Sequence, residues 1–140
     1  MTYSATATIT VQALRSKVWD ALTKPEWVKQ YFFGTTLVTH WKVGSDIVFR
    51  GEWDGKAYED KGTVLTFEPM THLSYNYWSN FCGHEDLPHL RQIITYHLEE
   101  TPQGIQVRID QTNIESQEKA EHSKNNWNTV LAGLKKVVEM

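Results

Sequence analysis

The chain has 140 residues, a length that suits a single domain spanning 1–140 and that buries roughly two thirds of the unfolded surface. The sequence contains neither a run of about twenty apolar residues nor a signal-peptide pattern, so we expect a soluble protein that does not enter membranes. The formal charge is −3, from 14 basic and 17 acidic residues, which argues against nucleic acid as a partner. Cys82 is the single cysteine, which excludes an internal disulfide and favours the cytoplasm.

In the first third of the chain the hydrophobic period changes from that of a strand to that of a helix. Residues from Tyr3 to Val11 alternate between apolar and hydroxyl side chains, which predicts a strand with one buried face. The period then becomes helical from Leu14 to Thr23, and Pro25 suits the first position of a second helix that we expect to end near Phe32. Two short helices placed after a first strand are typical of a chain that closes one end of a cavity.

The middle of the chain predicts a succession of strands. Asp54-Gly55 indicates a tight hairpin turn, and the segment from Thr101 to Gly104 indicates a second turn. The β-branched and aromatic content between such turns predicts antiparallel strands. These predicted strands are Thr36 to Trp41, Asp46 to Trp53, Lys56 to Glu68, His72 to Trp78, Leu90 to Glu99 and Ile105 to Asn113.

The last segment has helical spacing. Ser116 is a suitable N-cap, Glu118 complements the positive start of a helix, and Lys135 with Lys136 complements its negative end. Gly133 costs roughly 1 kcal/mol relative to alanine, which predicts that a side chain from the sheet packs closely there. The apolar stripe of this long helix consists of Trp127, Val130, Leu131, Leu134, Val137 and Val138.

This order of elements predicts an α+β fold in which one curved antiparallel sheet hides its apolar face against the C-terminal helix. A twisted sheet and a helix do not mesh completely, and the space between them is a usual place for a small ligand.

Five motifs carry a family resemblance: Val18-Trp19-Asp20-Ala21-Leu22-Thr23-x-Pro25, Trp41-Lys42-Val43-Gly44, Gly62-Thr63-Val64-Leu65, Leu73 to Trp78, and Trp127-x-x-x-Leu131-x-x-Leu134-Lys135. With them the chain resembles the activator of heat-shock-protein-90 ATPase homologue family, within the START, polyketide cyclase and birch-pollen-allergen-like (SRPBCC) superfamily. The resemblance implies a helix-grip fold with a hydrophobic cavity between sheet and helix. It also implies a possible chaperone partner, although we expect no counterpart here of the separate chaperone-binding domain of the eukaryotic co-chaperones.

Aromatic residues in the predicted strands are candidates for lining such a cavity. Strand alternation places Phe49 with Trp53, and Tyr75 with Tyr77, so that each pair shares a face. Trp127 and Leu131 lie on the stripe of the C-terminal helix, and Trp27 lies at the predicted closed end. The alternative is that these residues simply fill a core. Arg50, Glu52 and Arg91 are strand residues that either orient the polar end of a ligand or face solvent.

The segment from Cys82 to His89 contains a thiol, two imidazoles and two carboxylates. These groups suit zinc, nickel or copper, but the spacing of His84 and His89 matches no helical metalloprotease motif, and Pro88 disfavours a helix there. We therefore predict a solvated loop, with metal binding or gating of a cavity as the alternatives. Neither a metal nor another cofactor is assigned, and no residue is assigned a catalytic role.

The sequence leads to a principal hypothesis with two alternatives. The principal one is a non-enzymatic protein that binds a small apolar or aromatic molecule between sheet and helix. The alternatives are an enzyme of the cyclase, aromatase or hydrolase type, which requires an inward-facing carboxylate or histidine, and a chaperone-linked interaction module with an outer apolar patch. A homodimer is possible in each case.

Overall fold

The computed structural model describes residues 2–53, 55–79 and 85–139, apart from the side chains of Trp53 and Pro88. The order of elements matches the predicted one. They are β1 (Tyr3–Val11), α1 (Arg15–Thr23), α2 (Pro25–Tyr31), β2 (Thr36–Thr39), β3 (Asp46–Trp53), β4 (Lys56–Glu68), β5 (His72–Tyr77), β6 (Gln92–Thr101), β7 (Gly104–Ile114) and α3 (Gln117–Val138), with a 3₁₀ turn at Pro88–Leu90.

Within the described residues, seven strands form one antiparallel sheet in the order β1-β7-β6-β5-β4-β3-β2. Strands β2 to β7 follow one another as a meander, and β1 pairs with β7 at the far edge. Helix α3 packs against β1, β7 and α2, so it covers the inner face of the curved sheet. The predicted helix-grip fold is confirmed.

The predicted stripe of α3 is buried, with Val137 half-buried at its margin. Ser116 is the N-cap, and its Oγ accepts a hydrogen bond from the backbone N–H of Lys119 at 3.2 Å. At the other end the carboxylate of Glu139 accepts from the backbone N–H of Gln12 at 2.7 Å and pairs with Lys135 Nζ at 2.8 Å. Both ends of the helix are therefore fixed, the second one to the end of β1.

Several predicted boundaries differ from the structure. Leu14, the first residue of the predicted helix, is the N-cap of α1 and is 77% exposed. Strand β2 ends at Thr39 because Trp41 has a φ of 53°, a left-handed conformation that does not continue a strand. Leu90 lies in the 3₁₀ turn, so β6 begins at Gln92, and Trp78 forms an isolated bridge to Lys61 beyond the end of β5.

The close approach expected at Gly133 is present, but its partner is a helix and not the sheet. A Cβ atom built at Gly133 lies 3.0 Å from the Cβ of Tyr31 in α2. A glycine at this position therefore lets α2 and α3 pack closely at the end where α1 and α2 close the interior.

Candidate functional site: the aromatic interior between sheet and helix

The inner face of the sheet brings aromatic rings together beside α3. The ring centroids of Phe49 on β3 and Tyr75 on β5 are 5.5 Å apart, and the ring centroid of Tyr96 on β6 is 5.8 Å from that of Tyr75. Trp127 of α3 lies edge-on to Tyr96 at 6.0 Å. Ring pairs at these distances and angles attract one another beyond their area of burial.

The end of α2 adds a further ring to this cluster. Phe32 follows the last residue of α2 and stacks on Phe49 at 5.8 Å, with 22° between the ring planes. Its edge also contacts Trp127 at 5.7 Å. Neighbouring Tyr31 donates a hydrogen bond from its hydroxyl to the carbonyl of Ala21 in α1 at 2.6 Å, which holds the two short helices together. We call Tyr31, Phe32, Phe49, Tyr75, Tyr96 and Trp127 the aromatic cluster.

The aromatic cluster carries polar atoms into the interior. The hydroxyls of Tyr75 and Tyr96 are buried and 2.8 Å apart, within hydrogen-bonding distance. Burial raises the pKa of Tyr31, Tyr75 and Tyr96, because a phenolate there would lose its hydration. The three tyrosines are therefore neutral phenols at physiological pH, suited to hydrogen bonding and not to acting as bases.

A second polar chain borders the same space. Trp127 Nε1 donates to the side-chain oxygen of buried Gln111 at 2.7 Å, and the amide of Gln111 donates in turn to the side-chain oxygen of Gln92. Two glutamines are thus fixed on the inner face of β6 and β7, where an apolar core would hold aliphatic residues.

A small cavity remains inside the aromatic cluster. Its volume is about 10 Å³, which is close to the space of one water molecule. Side chains fill most of the interior in this conformation, so a larger molecule enters only if part of the wall moves. The lining consists of Leu22, Val28, Tyr31, Phe32, Leu37, Trp41, Phe49 and Tyr96.

The wall next to this cavity includes a backbone segment in an uncommon conformation. Phe33, 48% exposed, and Gly34 have φ angles of 55° and 71°, and Trp41 has a φ of 53° on the other side of β2. A bulky residue in the left-handed region costs on the order of 1 to 2 kcal/mol. Such strain is found at positions that change conformation, and β2 itself is a short edge strand of four residues. The segment from Phe32 to Trp41 thus combines left-handed backbone at Phe33 and Trp41 with a short edge strand.

An inward-facing carboxylate lies beside the cluster. Asp60 on β4 is opposite Phe49 on β3, and directly opposite residues of an antiparallel pair share a face. Its Oδ2 accepts a hydrogen bond from the hydroxyl of Tyr77 at 2.7 Å. Burial raises the pKa of Asp60, and its hydrogen bonds with Ser79 and Tyr77 oppose that shift. Asp60 was not among the residues predicted to line the interior, although it has the same strand parity as inward-facing Val64.

The predicted site residues lie in different places. Phe49 lines the cavity, and Tyr75, Trp127 and Leu131 are buried in the core around it. Tyr77 binds Asp60, and Trp27 is half-buried against the core without lining the cavity. The side chain of Trp53 lies outside the described part of the chain. Alternation with Ile94 and Leu98 was the signal that could have identified Tyr96.

The charged candidates point away from the interior. Arg50 is exposed and pairs with Glu59 at 2.8 Å, and Glu52 is exposed as well. Arg91 binds both carboxylate oxygens of Asp86, at 2.7 and 2.8 Å, and donates to the side chain of Asn76 at 3.0 Å. Arg50 and Glu52 therefore face solvent, whereas the side chain of Arg91 is half-buried.

The segment from Cys82 to His89 is described only from Glu85 onward, so Cys82, Gly83 and His84 lie outside the described residues. Asp86 is held by Arg91, which lowers the pKa of its carboxyl, and Lys61 Nζ lies 3.5 Å away. His89 is exposed. In residues 2–53, 55–79 and 85–139, no group of three or more histidine, cysteine, aspartate or glutamate side chains is arranged to hold a metal ion.

An open groove of about 740 Å³ lies elsewhere, between the start of β1, the end of β7 and the first turns of α3. Ligand sites ordinarily enclose most of a small molecule and are largely apolar. This groove is open to solvent and is lined mainly by polar and small residues, so it lacks the enclosure and the apolar character of such a site. Its lining is Thr2 to Thr6, Thr112, Asn113, Gln117, Ala120, Glu121 and Lys124.

None of the helices within the described ranges combines the length and the apolar character needed to cross a bilayer.

Comparison with solved structures finds the same fold in proteins of several bacteria. ChR145 from Cytophaga hutchinsonii is 45% identical, covers 98% of this chain and 94% of its own, and superposes with a TM-score of 0.83. The Aha1 dimer from Colwellia psychrerythraea is 18% identical over 99% of this chain and 97% of its own, with a TM-score of 0.77. DynU16, a putative protein in the dynemicin biosynthetic locus, is 18% identical over 98% of this chain and 47% of its own, with a TM-score of 0.81. The last two likenesses concern the fold alone.

The family assignment rests on the sequence as well as the fold. No curated protein sequence matches the chain. The family model described as activator of Hsp90 ATPase homolog 1-like protein matches residues 12–139, which includes all elements after β1. The chain therefore belongs to the family of activator of Hsp90 ATPase homolog 1-like proteins.

Proposed function

We propose that this protein binds a small, flat and largely apolar molecule within the aromatic cluster, between the sheet and α3. The observation that carries the proposal is the composition of the cavity wall, where Tyr31, Phe32, Trp41, Phe49 and Tyr96 meet. Aromatic rings provide large contact areas at low cost in conformational entropy. The proposal includes no chemical step.

The size of the cavity defines how binding would occur. A space of about 10 Å³ admits no aromatic molecule, whereas an apolar space on the order of 150 Å³ holds benzene. The ligand must therefore replace a side chain, and Phe32 is the best placed one. Its ring stacks on Phe49 inside the cluster, while its backbone adjoins the left-handed residues Phe33 and Gly34.

The direct test is native mass spectrometry of protein purified from its own host. A bound small molecule supports the proposal, and the same spectrum gives the oligomeric state, including any homodimer. A clean mass of the unbound chain, repeated after incubation with naphthalene, contradicts it.

A second test uses Phe32→Ala, which removes the ring that fills the site. We expect this variant to bind naphthalene at least tenfold more tightly than the wild type, measured through the fluorescence of Trp127 and the other tryptophans. Phe33→Ala is the matched control, because it removes the same kind of ring from the next residue. The side chain of Phe33 is exposed and does not line the cavity. Equal affinities of the two variants would contradict the assigned position of the site.

A further inference from the structure

Among the acidic side chains in the described ranges, the carboxylate of Asp60 is unusual because it lies on the inner face of the sheet. Its partner across the β3–β4 ladder is Phe49, a wall of the cavity and a member of the aromatic cluster. Phe49 also contacts Tyr75, and Tyr77 lies two residues further along the same face of β5. Asp60 and Tyr77 therefore place polar atoms next to the aromatic cluster.

The two oxygens of this carboxylate are in different situations. Oδ2 accepts the hydrogen bond from Tyr77 Oη at 2.7 Å, and the side chain of Ser79 also hydrogen-bonds with the carboxylate. Oδ1 is buried from solvent and accepts no hydrogen bond from any group in the described ranges. A buried acceptor without a donor is destabilising, and more so when it is charged.

Unlike Asp60, the carboxylates of Glu59 and Asp86 have basic partners. Glu59, the preceding residue on β4, points outward and pairs with Arg50 at 2.8 Å. Asp86 pairs with Arg91 and Lys61 on the outer side. No lysine or arginine among the described residues forms an ion pair with Asp60, so its buried Oδ1 has neither a basic partner nor a hydrogen-bond donor there.

We propose that Asp60 Oδ1 accepts a hydrogen bond from the ligand, and that the ligand is an aromatic molecule carrying a hydroxyl or a protonated amine. This inference rests on the proposed function, since the rings must hold the ligand for its donor to reach Asp60. A donor to a buried carboxylate forms a charge-assisted bond that is stronger than a neutral one. A ligand carboxylate is rejected, because two negative groups would share a site of low dielectric constant.

The test compares three probes of one ring system, namely naphthalene, 2-naphthol and 2-naphthoate, by isothermal titration calorimetry at neutral pH. In the wild type we expect 2-naphthol to bind about tenfold more tightly than naphthalene, and 2-naphthoate to bind most weakly. This ranking needs no variant, so it stands independently of any effect of substitution on folding. Binding of 2-naphthoate as tight as that of 2-naphthol overturns the inference.

Asp60→Asn removes the negative charge with little change in volume. We expect it to lose the preference for 2-naphthol and to accept 2-naphthoate, while its affinity for naphthalene stays within about twofold of the wild type. Glu59→Gln is the matched control on the same strand, and it should keep the wild-type ranking. An unchanged ranking in Asp60→Asn, with naphthalene bound, overturns the role of Asp60 and leaves the proposed function intact. Failure of all three probes to bind wild type contradicts the proposed function, and the inference with it.

Discussion

The interior of this protein has two ends of different chemistry. The aliphatic end consists of Val11, Leu98, Ile105, Val107, Leu134 and Val138, all of them buried, with Val11 opposite Ile105 and Leu98 opposite Val107 in the sheet. At the other end, the aromatic cluster is bordered by Asp60 and Gln111. Both ends lie between the same sheet and the same helix.

The difference separates what maintains the fold from what is available for binding. An aliphatic core holds a sheet against a helix without any polar atom. Burying hydroxyls, amides and a carboxylate lowers stability unless each finds a partner. Because the aliphatic end already supplies a core, we propose that the polar atoms of the aromatic cluster serve recognition. Substitutions at the two ends should therefore have different consequences.

The largest expected effect on stability is at the aliphatic end. Leu134 is fully buried, so Leu134→Ala should lower the free energy of unfolding by about 2 to 5 kcal/mol through lost burial and the cavity left behind. Urea denaturation followed by circular dichroism measures it. Leu65→Ala, at a position 37% exposed, is the control and should lose clearly less. The comparison fails if the two losses are equal, or if Leu134→Ala alters the relative affinities of the three probes.

An intermediate effect is expected in the aromatic cluster. Tyr75→Phe removes one of two hydroxyls that are 2.8 Å apart and leaves that of Tyr96 buried without this partner. We expect a loss of about 1 to 3 kcal/mol in unfolding free energy. The double variant with Tyr96→Phe removes both groups, so its loss should be smaller than the sum of the two single losses. Additive losses in this double-mutant cycle would show that the hydroxyl pair contributes no coupling.

Two carboxylates should give opposite dependences of stability on pH. Burial raises the pKa of Asp60, so the native state binds the carboxyl proton more tightly than the unfolded chain does. The free energy of unfolding therefore declines as the pH rises from 3.8, the pKa in the unfolded chain, through the higher native pKa. Asp60→Asn should therefore be more stable than the wild type at pH 7, by roughly 1 kcal/mol, because the cost of the buried charge is removed. The advantage should shrink towards acidic pH.

Asp86 is the matched carboxylate on the outer side. The hydrogen bond from Arg91 is the main cause that lowers its pKa, so its contribution is present above the unfolded value of 3.8 and is lost as pH falls through the native value. Asp86→Asn should cost about 1 kcal/mol at pH 7, since the pair with Arg91 is bidentate. Urea midpoints between pH 3 and pH 7 measure both variants. If both variants change the free energy of unfolding in the same direction at pH 7, the assigned environments of Asp60 and Asp86 are contradicted.

The smallest effect is expected at Gly133, where α3 meets α2. In an open helix, replacing glycine by alanine stabilises by about 1 kcal/mol. At Gly133 the new methyl group lies 3.0 Å from the Cβ of Tyr31, a contact that is tighter than ordinary van der Waals distance. Gly133→Ala should therefore show no net gain in thermal stability, whereas Ala132→Gly at an exposed neighbour should lose the full amount. A gain of about 1 kcal/mol in stability for Gly133→Ala would show that α2 moves away from the new methyl group at little cost.

The sequence by itself determined the order of elements and the fold. The alternation from Tyr3 to Val11 and the stripe from Trp127 to Val138 are local patterns, because each is set by residues two to four positions apart. A sheet with one apolar face and a single long amphipathic helix have few ways to cover each other, so these patterns led to a curved antiparallel sheet packed on the C-terminal helix, and the family resemblance implied the helix-grip fold.

The tertiary structure decided which side chains share the interior. Phe32, Phe49 and Tyr96 come from three elements far apart in sequence, and their meeting depends on strand register and on how α2 packs against α3. The same is true of Asp60, whose parity with Val64 was visible but whose position beside Phe49 and Tyr77 required the register of β3, β4 and β5. Local periodicity determines the face on which a residue lies, whereas packing between elements determines what that residue contacts. That is why the fold was predictable from the sequence and the chemistry of the interior was not.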